Sequence, residues 1–119
     1  MKTLITLCLF ALYSTVVFVS FENKDVCSSD ICVIEFNAAF NAQNSVDWID
    51  TLSDCEVSRI DIMVRPDMQK EHKIVVVPTI VVFNDGEEEE RFQANIMMAI
   101  EATQSDVQDV VDEILMSSF

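Results

Sequence analysis

Glycine and proline are nearly missing from this sequence, with Gly86 alone and only Pro66 and Pro78 among 119 residues. So little of either leaves no flexible linker, and there is no internal repeat or low-complexity tract beyond the glutamates at 87–90. Basic residues are scarce too: seven Lys and Arg face 21 Asp and Glu, for a net charge of -14. Because Lys2 is the only charged residue among the first 20, the remaining chain sets all 21 acids against six bases, or -15. A body that acidic repels phosphate backbones, which excludes nucleic acid as a partner. Histidine occurs once, as His72, and the acidic run at 87–90 lacks the ligand spacing of a calcium loop, so neither a metal nor a cofactor is implied. None of the four cysteines, Cys8, Cys27, Cys32 and Cys55, is separated from another by two residues. What is present is apolar mass. Half of the residues are hydrophobic, enough for one small domain with a packed core.

Residues 1–21 hold one lysine followed by an uncharged apolar run over 4–19. This layout reads as a cleaved secretory signal or a retained membrane anchor, with a buried first strand as the remaining alternative. The run is long for a signal core and short for a span of about 20 residues, so both of the first two readings stay open. Either one exports the acidic body, since Lys2 favours an N-terminus left in the cytoplasm. The expected location is extracytoplasmic (secreted, lumenal or periplasmic), with the membrane contacted through residues 4–21 where the segment is retained.

Residues 72–92, HKIVVVPTIVVFNDGEEEERF, organise the rest. Positions 74–77 and 79–83 are almost wholly β-branched or aromatic, which predicts a buried extended segment and a buried strand, with Pro78 confined to the strand's start. Asp85-Gly86 tolerates the positive φ angles of a two-residue hairpin, so residues 87–92 are expected to return antiparallel as an edge strand with glutamate on its wet face. Upstream, residues 32–36 predict a first parallel strand, Ile34 and Phe36 on one face and Val33 and Glu35 on the other. A short helix is expected over 45–52, N-capped by Ser45, with Val46, Trp48, Ile49 and Leu52 as its core stripe. Residues 57–64 predict the next parallel strand and 66–73 a short helix. Residues 96–115 are helical in pattern, with a break at 103–105 where Ser105 and Gln108 would form a capping box. Val107, Val110, Val111, Ile114 and Leu115 give the last helix its buried face, and the Met97-Met98 pair is expected to fill core space.

The succession Val77-Pro78-Thr79, apolar strand, Asp-Gly turn and final strand resembles the thioredoxin superfamily. Residues 30–44, DICVIEFNAAFNAQN, are similar to that family's strand leading into its active-site helix, and residues 59–79 keep its spacing, with Pro66 at a matching proline. The resemblance covers residues 30–115. It implies an α/β fold, a minimal thioredoxin-like domain over residues 30–119: βαβ then ββα, a central mixed sheet flanked by helices, after the N-terminal hydrophobic segment. Residues 21–29 are too few to hold the extra strand and helix with which full-length members begin. The resemblance also implies a cis bond before Pro78 and a desolvated carboxyl at Glu35 beneath the site, so that Glu35→Gln is expected to be neutral or stabilising.

In that family the chemistry runs through two cysteines, separated by two residues, at a helix start where the dipole and nearby amides favour a thiolate. The matching tetrad here is Asn41-Ala42-Gln43-Asn44, with Phe40 in the place of a tryptophan. An amide cannot form a mixed disulfide, so that mechanism cannot run at these positions and no catalytic residue is assigned. The resemblance then implies a redox-inactive module that binds an extended polypeptide or a partner protein near the proline loop. Its binding residues would be Phe40, Asn41, Asn44, Val77 and Pro78, with the backbone of Val77 pairing to an added strand. The alternative is a thiol–disulfide oxidoreductase using the displaced Cys27, Cys32 and Cys55. Three thiols in an oxidising compartment imply one bridge and one leftover. Cys32 with Cys55, at the starts of adjacent parallel strands, is one structural pairing, and Cys27 with Cys32, closing a small loop, is the other.

Overall fold

The computed structural model describes Cys27 and residues 30–118. Residues 1–21, read above as signal or anchor, lie outside the described residues. Among the described residues no helix is long and apolar enough to cross a membrane.

Every residue of the first strand, β1 (Ile31–Asn37), is buried, as a nearly unbroken apolar run in a central strand should be. It lies between β2 (Glu56–Asp61) and β3 (Thr79–Asn84), with β4 (Glu87–Gln93) on the outer side of β3, giving the sheet order β2-β1-β3-β4. β1 is parallel to β2, Val33 facing Val57 and Phe36 facing Ile60, and antiparallel to β3, Cys32 facing Phe83 and Ile34 facing Val81. The hairpin between β3 and β4 turns on Asp85 and Gly86, both at positive φ (52° and 82°), as the sequence predicts. β4 carries its four glutamates exposed.

The two-residue period of β1 divides the core in two. Cys32, Ile34 and Phe36 join Ile60, Ile62, Val81 and Phe83 on one face, under Met68 of α1 (Pro66–Glu71). His72, at the end of that helix, packs between the rings of Phe36 and Phe83, with centroids 5.5 and 5.1 Å away. Ile31 and Val33 join Ile80 and Val82 on the other face, beneath Ile49 and the Val107, Val111 and Ile114 stripe of α2 (Gln104–Ser117). The expected order of βαβ then ββα around a mixed sheet is therefore what the chain forms.

Three local expectations need correction. The first helical region consists of two 3-10 segments, Ala39–Asn44 and Asp47–Thr51, with Asn41 off helical geometry between the turns of the first. Ser45 does not cap the second. The N-cap position is held by Val46, with no side-chain cap; the Ser45 hydroxyl donates to Glu35 Oε1 at 2.8 Å and the Val46 N–H donates to Glu35 Oε2 at 2.6 Å, so a carboxylate from β1 anchors the start of the segment. Lastly, residues 96–103 are not helical. α2 is capped by the reciprocal Thr103–Asp106 pair, not by Ser105 and Gln108, because the Gln108 amide spans to both main-chain groups of Ser53, at 2.9 and 3.1 Å.

Candidate functional site

One end of the sheet gathers four segments that carry no charge at all: residues 36–46, 62–64, 74–79 and 92–100 contain no Asp, Glu, Lys or Arg. The topology brings them together, because β1 and β2 end there while β3 begins and β4 ends there. Seven large apolar side chains stand exposed on these or adjoining loops: Phe40 (68%), Met63, Val64, Val75 (77%), Val76, Ile96 (99%) and Met97 (75%). Scattered single apolar residues on a surface are ordinary, but five of these, Phe40, Met63, Val75, Val76 and Ile96, meet on one groove with no charged residue in its lining, which marks a contact surface. Phe40, Ile62, Met63, Val75, Val76 and Ile96 line a groove of about 420 Å³ at its centre.

Residues 95–99 form a built loop at the rim. The Asn95 side-chain oxygen accepts from the Met97 and Ala99 N–H groups at 2.9 and 3.2 Å, the Asn95 N–H donates to Ala99 O, and Met98 takes a left-handed φ of 59°. That geometry turns Met98 inward against the core and leaves Ile96 and Met97 outside. The expectation that both methionines fill core space holds for Met98 only.

Beneath the groove lies a buried amide network. Asn41 is 4% exposed, and its Nδ2 faces Asn37 Oδ1 at 3.2 Å, Val77 O at 3.3 Å and Met98 O at 3.1 Å. Its main-chain oxygen accepts from Asn37 Nδ2, and its side-chain oxygen accepts from Asn44 Nδ2 at 2.7 Å. One side chain thus ties the first 3-10 segment to β1, the proline loop and the 95–99 loop. The Val77–Pro78 bond is cis. Of the five residues named from sequence as a binding surface, Phe40 is exposed and Asn44 half-buried, whereas Asn41, Val77 and Pro78 are buried and serve as the floor and its fastening. Val75 and Val76, expected within a buried extended segment, stand exposed instead, and the further exposed apolar residues that sequence reasoning did not assign are Met63, Val64, Ile96 and Met97; the signal was the lack of charge in all four segments at once.

Glu35 is 1% exposed, but it is not the lone desolvated carboxyl the resemblance implies. Besides Ser45 and Val46, it accepts from Arg59 Nη1 at 2.6 Å, and Arg59 continues to Val46 O at 3.0 Å and Asp50 at 2.9 Å. Burial works against the Arg59 charge, yet the hydrogen bonds to Asp50 and Glu35 outweigh it, so its pKa lies above the ordinary value. Register explains the pairing: Glu35 and Arg59 are direct neighbours across β1 and β2.

The sulfur chemistry sits at the opposite end. Cys32, at the start of β1, is joined to Cys27, and Cys55 is free. The Cys32–Cys55 pairing does not form, because the two side chains lie on opposite faces of the sheet: Cys32 belongs to the core under α1, Cys55 packs against the core under α2. Burial first, and then the neighbouring Asp54 charge, push the Cys55 thiol pKa up. Among the described residues no three His, Cys, Asp or Glu side chains gather as a metal site would require.

No protein-family model matches the sequence, and no curated protein matches it. Solved structures do match. A mutant thioredoxin from Halobacterium salinarum superposes with a TM-score of 0.64 at 22% identity, over 82% of this chain and 86% of that one. Thioredoxin 1 from Thermosipho africanus superposes with a TM-score of 0.59 at 20% identity, over 73% of this chain and 97% of that one. Oxidised thioredoxin from Plasmodium falciparum gives 0.54 at 12% identity, over 76% and 86%. The chain has a thioredoxin-like fold. At such identities the likeness carries the fold and leaves the activity to be argued from the site.

Proposed function

We propose that this chain is a redox-inactive thioredoxin-like module that holds a partner protein against its uncharged loop end, and that residues 1–21 deliver it out of the cytoplasm, as a cleaved signal or as an anchor. The observation that carries this reading is the convergence of Phe40, Met63, Val75, Val76 and Ile96 around one groove on a body of net charge -15. The groove floor is built from amides where a thiol mechanism would need sulfur, so the surface can bind and cannot exchange disulfides. The test is affinity capture of a partner by the wild type and by Val75→Asp and Ile96→Asp, with circular dichroism as the folding control. Loss of the same partner in both folded variants supports the reading, and capture that survives both removes it. Val77 is not suited to this test, since it is buried in the core and its replacement by Asp would unfold the site.

A second reading, thiol–disulfide exchange through displaced cysteines, draws on the Cys27–Cys32 bridge. Cys27 is half-buried and open to attack, but attack there expels Cys32 as a thiolate at 1% exposure among apolar side chains, a poor leaving group. Turnover of an insulin-type disulfide with dithiothreitol, lost in Cys27→Ser, would favour this reading over the first.

A further inference from the structure

The geometry points to a second copy of this chain as the partner at the uncharged end, joined through Val75 to its own counterpart across a two-fold axis. The inference rests on the reading of that end as a docking surface and names its occupant. Ile74 turns both of its main-chain groups inward: its N–H donates to Gln69 O at 3.0 Å, and its C=O accepts from the Gln69 side chain at 3.4 Å. The chain runs straight through Ile74 and Val75 and bends from Val76. In such a stretch successive residues aim their main-chain groups to opposite sides, so the N–H and C=O of Val75 both face outward. Neither has a partner among the described residues, and the Val75 side chain is exposed beside them. On both sides the acceptors are closed. Val76 O accepts from the Thr79 hydroxyl at 2.7 Å and Val77 O from Asn41 at 3.3 Å, while His72 O and Lys73 O accept from Arg91. Val75 is therefore the one residue from His72 to Pro78 with both groups open. A long added strand needs a ladder of several such residues. One open residue supports one pair of bonds, and two antiparallel residues that exchange both bonds are what a residue forms with its own copy across a two-fold axis.

Charge fixes which ends can meet. A body of net charge -15 repels its own copy, yet the groove lining holds no charged residue. Beside it Arg65 is paired with Asp67, and Lys70 and Lys73 flank Glu71, so no net negative charge gathers there. The exposed glutamates of β4 start from its far end, where Glu87 faces Asn84. Two copies that meet by the uncharged end put neutral apolar surface together and hold their acids apart. Meeting by the opposite end would set Asp30, Asp54, Glu56 and Asp85 of one copy against the same acids of the other. Phe40, Met63, Val76 and Ile96 stand around the groove with Val75, and a two-fold contact covers them with the same set from the second copy. So small a patch supports a dimer at the weak end of protein interfaces.

The experiment follows the mass of the full chain against its concentration by sedimentation, in detergent micelles where the N-terminal segment is retained. The wild type is expected to pass from monomer to dimer and stop there, and the dimer to tighten several-fold as salt rises and screens the repulsion between the two acidic bodies. Val75→Lys and Val75→Asp, each checked for folding by circular dichroism, are each expected to dimerise about tenfold more weakly, because like charges then face each other across the axis. An equimolar mixture of the two variants is expected to recover the dimer, since opposite charges then face each other. Recovery is particular to a residue that meets itself; were Val75 only a piece of apolar area, the mixture would stay as weak as its parts. A wild type that is monomeric at every concentration, assembly that continues past the dimer, a dimer that salt loosens, or a mixture no tighter than either variant alone would each overturn the inference. None of these touches the docking surface itself, which falls only where capture of a partner is indifferent to Val75→Asp and Ile96→Asp.

Discussion

The two ends of the sheet are built from opposite materials. At one end, where β1 and β2 finish, four loops carry no charge, expose apolar side chains and are fastened beneath by asparagine amides. At the other, where β1 and β2 begin, Cys27, Cys32 and Cys55 lie among Asp30, Asp54, Glu56 and Asp85, and the Asp85 N–H ties the hairpin to Asp30 O at 2.7 Å. Thiol chemistry on this fold would require the sulfur and the apolar binding surface to share an end. Here they are separated by the length of β1, about 20 Å at the rise of a strand. The difference teaches that the binding surface and the redox site are separable properties of the fold, one made by loop composition and the other by two side chains.

The comparison can be broken most strongly through the ion pair that supports the apolar end from below. Arg59→Ala leaves Glu35 buried without its cation and should cost about 3 kcal/mol, the low end for removing one partner of a buried pair because the guanidinium is partly in water. Glu35→Gln should likewise destabilise, since it removes a charge that Arg59, Ser45 and Val46 all bind. Urea unfolding measures both. A Glu35→Gln protein as stable as the wild type would mean that the pair contributes nothing and that the apolar end has another support.

At the cysteine end, Cys27→Ser removes a bridge that closes a loop with a sequence separation of 5, and the chain-entropy estimate for so short a loop is about 2 kcal/mol. Dithiothreitol should lower the melting temperature of the wild type and leave that of Cys27→Ser unchanged. If reductant moves both equally, the bridge is not what stabilises this end.

A smaller effect separates fastening from surface at the apolar end. Asn44→Ala orphans the Asn41 side-chain oxygen and should cost about 1 kcal/mol, whereas Val75→Asp and Ile96→Asp, at exposed positions, should stay within about 0.5 kcal/mol of the wild type. Thermal unfolding of the three side by side decides it; a large loss in Ile96→Asp would show that the 95–99 loop is packed and not displayed.

The smallest expected effect concerns Cys55. Burial first, and the Asp54 charge second, raise its pKa, so less thiolate exists at a given pH and alkylation should run slower than for an unhindered cysteine, gaining speed as pH rises. Asp54→Asn removes one of the two causes and should quicken the reaction modestly. Alkylation at pH 7 as fast as that of a free thiol would reveal an activated cysteine and reopen the case for chemistry at that end.

What the sequence by itself determined is the set of features written in short-range order. Alternation in β1 assigned Ile34 and Phe36 to one face and Val33 and Glu35 to the other, the Asp85-Gly86 pair placed the hairpin, and the valine and isoleucine spacing of residues 107–114 placed the buried face of α2. These depend on neighbours within a few residues, which the chain states directly. Only the tertiary structure decided the rest, because it depends on which distant residues meet. Cys32 bonds Cys27 because Cys55 faces the other side of the sheet. The Ser45 hydroxyl donates to the Glu35 carboxylate on β1 and does not cap the 3-10 segment, and Glu35 finds its cation across the β1–β2 register. Asn41, named from sequence as part of a binding surface, is buried because its partners, the carbonyls of Val77 and Met98, lie 36 and 57 residues onward and arrive only when the sheet has closed.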